Sequence, residues 1–179
     1  MRLRGQRLMA LLTMSIMLGS SCAQPDALAG RRLSMPVAGV DPTSLRDSFH
    51  ESRGGRVHEA IDLIAPRGTP VFAVDDGVVA KLFTSVPGGL TVYQFDADRR
   101  LAYYYAHLDR YAPGLREGQR VRRCELLGFV GSTGNADPLA PHLHFAVFVL
   151  GPQKQWWKGV PVNPFDALTA PGGPTCPGA

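Results

Sequence analysis

Residues 69–82 read TPVFAVDDGVVAKL and residues 90–108 read LTVYQFDADRRLAYYYAHL. Each sets short runs of Val, Leu, Phe and Tyr around a polar turn: Asp75-Asp76-Gly77 in the first, Asp96-Ala97-Asp98-Arg99-Arg100 in the second. β-Branched and aromatic residues suit a pleated, half-buried surface. Runs of this length bounded by Asp and Gly read as strands joined by tight turns. Leu90–Phe95 and Leu101–Leu108 are then a hairpin with a five-residue loop. Outward from there, Pro36–Val40, Ile61–Ile64 and His144–Leu150 are brief apolar runs of the same kind. A sustained 3.6-residue period is almost absent. The expected fold is all-β, with a strand every eight to twelve residues.

An internal echo supports that reading. Gly68-Thr69-Pro70-Val71 followed by Gly77-Val78-Val79 resembles Glu117-Gly118-Gln119-Arg120-Val121 followed by Leu127-Gly128-Phe129-Val130. Each half is a small turn, the start of a strand, then a strand that begins at or holds a glycine. Biotinyl and lipoyl carrier domains also have two such halves, but they display a lysine at the hairpin tip. Asp75-Asp76-Gly77 occupies that tip here, which argues against a carrier.

At 179 residues the chain is one domain. A net charge of +4 looks basic, but Arg2, Arg4 and Arg7 precede the uncharged stretch Leu8–Gly19; without them 16 Lys+Arg face 15 Asp+Glu. A nucleic-acid partner is not expected. Twelve uncharged residues are too few for a membrane span, which needs about 20, and fit a signal peptide instead. Leu18-Gly19-Ser20-Ser21-Cys22 resembles a lipobox, with Gly19 where Leu is usual, so residues 1–22 read as a signal peptide ending at a lipidated Cys22. The competing site, after Ala27-Leu28-Ala29, lies farther from the apolar stretch. The expected protein is therefore exported, in the periplasm or cell envelope, held to a membrane by a lipid (the outer membrane if the source is Gram-negative). Residues 23–35 read as a tether, 36–168 as the domain and 169–179 as an irregular tail. One-domain length is expected to leave no room for a targeting domain or a blocking pro-segment. Export permits a disulfide, and whether Cys124 and Cys176 pair stays open.

Chemistry concentrates on four of five histidines. His58-Glu59-Ala60-Ile61-Asp62 sets an imidazole four residues before a carboxylate; His142-Leu143-His144 puts two imidazoles on one strand face; Tyr105-Ala106-His107 ends the aromatic strand. His50 has no such partner pattern and reads as a surface or core residue. Neutral imidazole and carboxylate are the ligands of catalytic zinc sites, three from protein with the fourth position open. Two further imidazoles would be free for proton transfer. In a straight strand residues four apart are separated by about 13 Å, so His58 and Asp62 can share an ion only if the chain turns between them. Spacing does not say whether His142 or His144 is the ligand. His58-Glu59-x-x-Asp62 also resembles a zincin helix with Glu59 as base, but Pro66 and Gly68 leave little room for that helix. Trp156-Trp157 reads as packing rather than as groove lining.

Together these motifs resemble the lysostaphin-type (LytM-like) zinc metallopeptidases that cut peptidoglycan peptides. The resemblance runs from about Val37 to Leu168. It rests on Arg56-x-His58-Glu59-Ala60-Ile61-Asp62, Gly68-Thr69-Pro70-Val71, Asp76-Gly77-x-Val79, Tyr105-Ala106-His107-Leu108, Gly131-Ser132-Thr133-Gly134-Asn135, Pro141-His142-Leu143-His144-Phe145 and Asn163-Pro164. It implies a compact antiparallel β core of the duplicated hybrid, barrel-sandwich-like type with an open zinc groove. One Zn²⁺ per chain would be held by His58, Asp62 and His144. His142 would be general base, and His107 would orient water and stabilise the oxyanion. Ala60 and Cys124 stand where glycines are common in that family. The implied function is a monomeric endopeptidase acting on wall peptides, with D-Ala–diaminopimelate cross-links and glycine bridges both in range. Two alternatives are a non-catalytic wall-binding or hydrolase-activating protein on the same fold, and a zinc peptidase with a substrate outside the wall. The first of these typically lacks the ligands that are complete here.

Overall fold

A computed structural model describes residues 27–176. The expected signal peptide, Cys22 and the first residues of the expected tether lie outside the described residues. Strands β1 (Ser52–Arg53) and β2 (Arg56–Val57) form a small ribbon. The main sheet is built from β3 (Ile61–Ile64), β4 (Pro70–Phe72), β5 (Gly77–Ser85), β6 (Gly89–Asp96), β7 (Leu101–Tyr111), β8 (Arg120–Val121), β9 (Leu126–Val130), β10 (His142–Leu150) and β11 (Gly159–Val162). Every pairing is antiparallel, in the order β11-β10-β7-β6-β5-β8, with β3 also on β10 and β9 bridging β4 and β7. One short helix, α1 (Phe165–Thr169), and a 3₁₀ turn at Pro42–Ser44 are the only helical pieces among the described residues. The fold is all-β, as the alternating runs predicted, and antiparallel, as the family resemblance implied. The β6–β7 loop is one residue shorter than expected, because Asp96 stays in the strand and its Oδ1 accepts from the backbone of Arg100 and Leu101 at 2.7 and 2.8 Å.

The two halves of the internal echo pair with each other reciprocally. β4 of the first half lies on β9 of the second, and β5 of the first lies on β8 of the second. The hydrogen bonds repeat: Gly68 N donates to Val130 O at 2.7 Å and Val130 N to Thr69 O at 2.8 Å, while Gly118 N donates to Val79 O and Val79 N to Gln119 O, both at 2.8 Å. Gly68 and Gly118 both take left-handed backbone, φ 86° and 79°, which only glycine adopts without cost. Gly77 and Gly128 admit close backbone instead; a Cβ there would lie 2.0 Å from Phe95 O and 2.8 Å from Arg110 O. The duplicated sequence is thus read out as a duplicated interlock.

Alternation then divides the sheet into two faces. Inward go Ile61, Leu63, Val92, Tyr103, Tyr105, Leu143, Phe145 and Val147, all essentially without solvent contact. Tyr105 is buried whole with its hydroxyl satisfied: it donates to Gln94 Oε1 at 2.8 Å and accepts from Val74 N at 3.1 Å. Outward go Asp62, His142, His144, Tyr93, Tyr104 and Phe148, none of them fully buried. The core face holds the fold, and the opposite face of the same strands floors the site.

Residues 27–35, expected as a tether, are packed. Leu28, Leu33 and Met35 are in the core, Leu33 N donates to Ala167 O, and Ser34 N donates to Val74 O. From Ser34 the chain runs antiparallel beside β4, bonding Ser34 N to Val74 O, Phe72 N to Pro36 O and Ala38 N to Pro70 O, so Leu33, Met35 and Val37 enter the core at strand spacing. Arg31 pins this segment to Asp96 at 2.9 Å and Asp75 at 3.4 Å. The irregular tail is anchored too, by a Cys124–Cys176 disulfide with a Cα separation of 5.1 Å. Cys124 has φ 65°, the left-handed conformation that explains why a glycine would suit its place.

Closing a loop of 52 residues is worth about 4 kcal/mol in the chain-entropy account. Cys176→Ser or reduction is expected to lower unfolding free energy by about 2–4 kcal/mol, read by urea denaturation. In that background Cys124→Gly should be more stable than Cys124→Ser by about 1 kcal/mol.

Candidate functional site

The site begins where the chain reverses after β2. Glu59 takes left-handed backbone, φ 58°, so the segment turns between His58 and β3 instead of running straight. The ring of His58 is thereby brought to the carboxylate of Asp62, Nε2 to Oδ1 3.1 Å. The positive φ falls on Glu59 rather than Ala60, and no helix forms here. Glu59 is exposed on a loop, which removes the zincin reading.

β10 supplies the third group. His144 lies opposite Asp62 of β3 in register, and its Nδ1 is 3.2 Å from Asp62 Oδ1 and 3.1 Å from His58 Nε2. One ligand atom from each of His58, Asp62 and His144 lies within 4.8 Å of the others. Tautomers sharpen this geometry. His58 Nδ1 faces the Ser48 carbonyl at 3.0 Å; a carbonyl only accepts, so Nδ1 holds the proton and Nε2 presents a lone pair. Asp62 Oδ1 is sealed from solvent without a hydrogen-bond partner. Lone pairs that converge on one sealed point fit a divalent cation.

The other groups fix these ligands. Arg53 Nη2 donates to Asp62 Oδ2 at 3.0 Å, leaving Oδ1 to face the imidazoles. Ser48 serves both ends, holding His58 with its carbonyl and accepting from Asp62 N through Oγ at 3.2 Å. Burial works against the charge on Asp62, but His144, with His58 and His142 behind it, outweighs burial and holds the carboxyl at about 2.

His107 and His142 complete the wall. β7 bulges against β6 between Leu108 and Tyr105, and His107 has φ 61°. Strict alternation after Tyr103 and Tyr105 would send residue 107 into the core. The bulge hands that place to Leu108 and turns His107 to the groove. Its ring lies 5.0 Å from that of His142 and 5.6 Å from that of His144, centroid to centroid. His107 Nδ1 faces Thr133 O at 2.8 Å and His142 Nδ1 faces Ala140 O at 2.9 Å, so both rings present a bare Nε2 to the groove. Burial pushes His107 down to about 4. His142 Nε2 is 3.8 Å from Asp62 Oδ1.

His58, Asp62, His107, His142 and His144 all line one open groove of about 1070 Å³. His50 stands outside it, edge-on to Phe49. Trp156 and Trp157 are also outside its lining. Ser48, Arg53 and the Thr133 carbonyl are functional groups that the sequence reading missed. Thr133 stood in a motif, but Ser48, acting through its carbonyl and its Oγ, had no local signal.

The model that describes peptidase family M23 matches residues 56–164. The chain is 31% identical over 121 residues to the L-Ala–D-Glu endopeptidase of Bacillus subtilis, covering 63% of this chain and 37% of that protein. It is 34% identical over 99 residues to the peptidoglycan DD-endopeptidase ShyC of Vibrio cholerae, covering 55% and 22%. Among solved structures it is similar to the antimicrobial peptidase lysostaphin from Staphylococcus simulans: TM-score 0.60, 26% identity, 72% of this chain and 50% of that one. The chain spans less than two fifths of the length of these two curated relatives.

The ligand geometry predicts one zinc per chain by elemental analysis, lost in His58→Ala, Asp62→Ala and His144→Ala and retained in His142→Ala. The burial of His107 makes a separate pH prediction for the metal-free protein. Between its ordinary value of 6.5 and about 4, the unfolded chain takes up a proton that the folded one refuses. Stability should therefore be full above pH 6.5 and fall as pH drops toward 4. NMR titration of the ring should show His107 neutral throughout that interval, and His107→Gln should flatten the slope.

Proposed function

The chain belongs to peptidase family M23, and from that premise we propose that it is a zinc endopeptidase that hydrolyses the peptide part of bacterial peptidoglycan. The observation that supports this best is the groove itself, where one cation-shaped site and two imidazoles in base-ready tautomers share a wall. Export, action in the cell envelope, anchoring at Cys22 and a monomeric state are parts of the same proposal.

His58, Asp62 and His144 would hold the metal. When bound, zinc lowers the pKa of a water to near 7 and polarises the scissile carbonyl. His142 is the base: Nδ1 is committed to Ala140 O, so Nε2 is free to take the proton of the attacking water and pass it to the leaving amine. His107 is bound to Thr133 in the same sense, and its Nε2 accepts. As a neutral ring it orients water; it could donate to an oxyanion only as imidazolium, which its burial disfavours. Water orientation is thus its main role. Arg53 holds the Asp62 carboxylate in place.

Digestion of cross-linked peptidoglycan by the zinc-loaded protein, read as muropeptides by mass spectrometry, should show cross-linked dimers falling. His142→Ala should lower kcat by about 10²–10⁴ with zinc content unchanged. His107→Gln should be impaired less. Zinc binding with no cleavage of any wall type would reject the proposed substrate. A folded protein that binds no zinc would favour the wall-binding alternative.

A further inference from the structure

The outward face of the sheet does not end at the metal ligands. β10, β7 and β6 carry it onward, with Ala146, Tyr104 and Tyr93 opposite one another in register. Tyr104 lines the groove, and its ring is 6.1 Å from that of His144. From there the rings run in single file: Tyr104 to Tyr93 4.6 Å, Tyr93 to Trp156 4.8 Å, and Trp156 to both Phe83 and Trp157 5.2 Å. The file starts beside the ligands and ends in solvent.

Packing accounts for only part of this file. Trp156 rests on the small cluster of Phe95, Ala102 and Leu150 on the outer face, and that explains its place. It does not explain Phe83, 38% exposed, or Trp157, 62% exposed, at the outer end. Large aromatic faces left in water on the sheet face that continues from a groove mark a binding surface. Phe148 flanks Tyr104 at 6.4 Å at the inner end, and from Tyr93 outward the surface stays narrow. Lys81 stands opposite Tyr93 in register, and Gln155 and Lys158 flank the tryptophan pair. A protein interface would want a broad apolar centre with a polar rim. A narrow file of rings between polar side chains suits pyranose units instead, which offer apolar C–H faces and a hydroxyl edge.

We propose that the aromatic file Tyr104–Tyr93–Trp156, with Phe83 and Trp157 at its open end, binds the amino-sugar strand from which the substrate peptide hangs. The proposal rests on the peptidoglycan reading above. It makes the sheet face one continuous platform, with the peptide at the metal and the sugar strand along the rings. Phe83 and Trp157 would raise affinity for wall substrate without touching the reacting atoms.

The test uses zinc-loaded wild type, Phe83→Ser, Trp157→Ala and the double variant, each checked for zinc content and circular dichroism. The probe for binding is a chitin hexasaccharide, followed by tryptophan fluorescence. The activity arms are intact peptidoglycan and cross-linked peptides freed from their sugar strand by an amidase. Saturable binding by wild type is expected, about tenfold weaker in the double variant. On intact peptidoglycan the double variant should show a raised KM, and on the sugar-free peptides it should match wild type. Equal losses on both substrates, unchanged activity on both, or no saturable hexasaccharide binding would overturn the proposal. If wild type cuts neither substrate, the peptidase reading fails, while the hexasaccharide titration still decides the aromatic file.

Discussion

The convergence of His58 Nε2, Asp62 Oδ1 and His144 Nδ1 on one point of the groove is the constraint on which the outward face of this protein depends. His58 Nε2 has its lone pair fixed by the proton that Nδ1 shares with Ser48, and Asp62 Oδ1 is buried without a partner. Polar atoms held within 4.8 Å of one another favour a cation or a proton shared among them. They are held on rigid elements: β3, β10 and a turn locked by backbone bonds from His58 and Glu59 to Glu51 and Phe49. The core face of the same strands is continuous and apolar. One side of the sheet packs the core, and the other gathers the polar groups of the site.

Five residues other than glycine have left-handed backbone among the described residues, and three of them mark where the regular sheet gives way: Glu59, His107 and Cys124. Glu59 makes the turn that joins His58 and Asp62, four residues apart. His107 rides a bulge that moves it from the core side to the groove. Cys124 places a sulfur for the bond that ties down the tail. At each, a local backbone cost is offset by a tertiary bond, the usual pattern where strain sits near function.

This pattern also explains what could be read from the sequence. Most of the main-sheet strands were legible, because alternation with period two survives wherever one face is core, as in Ile61-Asp62-Leu63-Ile64. The exposed β1 and β2 and the half-exposed β11 were not, and Pro36–Val40 forms only a bridge at Val37. The duplicated halves were legible as similar segments, though their reciprocal pairing was not, since similarity says nothing of which partner each chooses. The five residues proposed for the site stood out by type and spacing, and the structure brings them to one groove. Ser48 and the Thr133 carbonyl did not, because a backbone acceptor has no residue signature and a lone serine hydroxyl has little. The packed course of residues 27–35 was hidden because only Leu33 and Met35 fall at strand spacing before Pro36, too short a run to stand out, and the bonds that hold it beside β4 are made by backbone.

On the proposed function, the division of the sheet bears on how substrate choice can vary. Asp62, His144 and Tyr104 are held on strands whose inner residues cannot change without a loss of packing, and His58 on the turn before β3. The walls of the groove are different: the ribbon β1–β2 contributes Arg53, Arg56 and Val57, and the loop before β10 contributes Asn135, Asp137 and Ala140. The ribbon residues are exposed, so replacing them disturbs little beyond the groove. Arg53 is the exception, since it also holds Asp62. On that proposal selectivity is free to change at Arg56, Val57 and the 135–140 loop, whereas any change at Arg53 also perturbs Asp62, a proposed metal ligand.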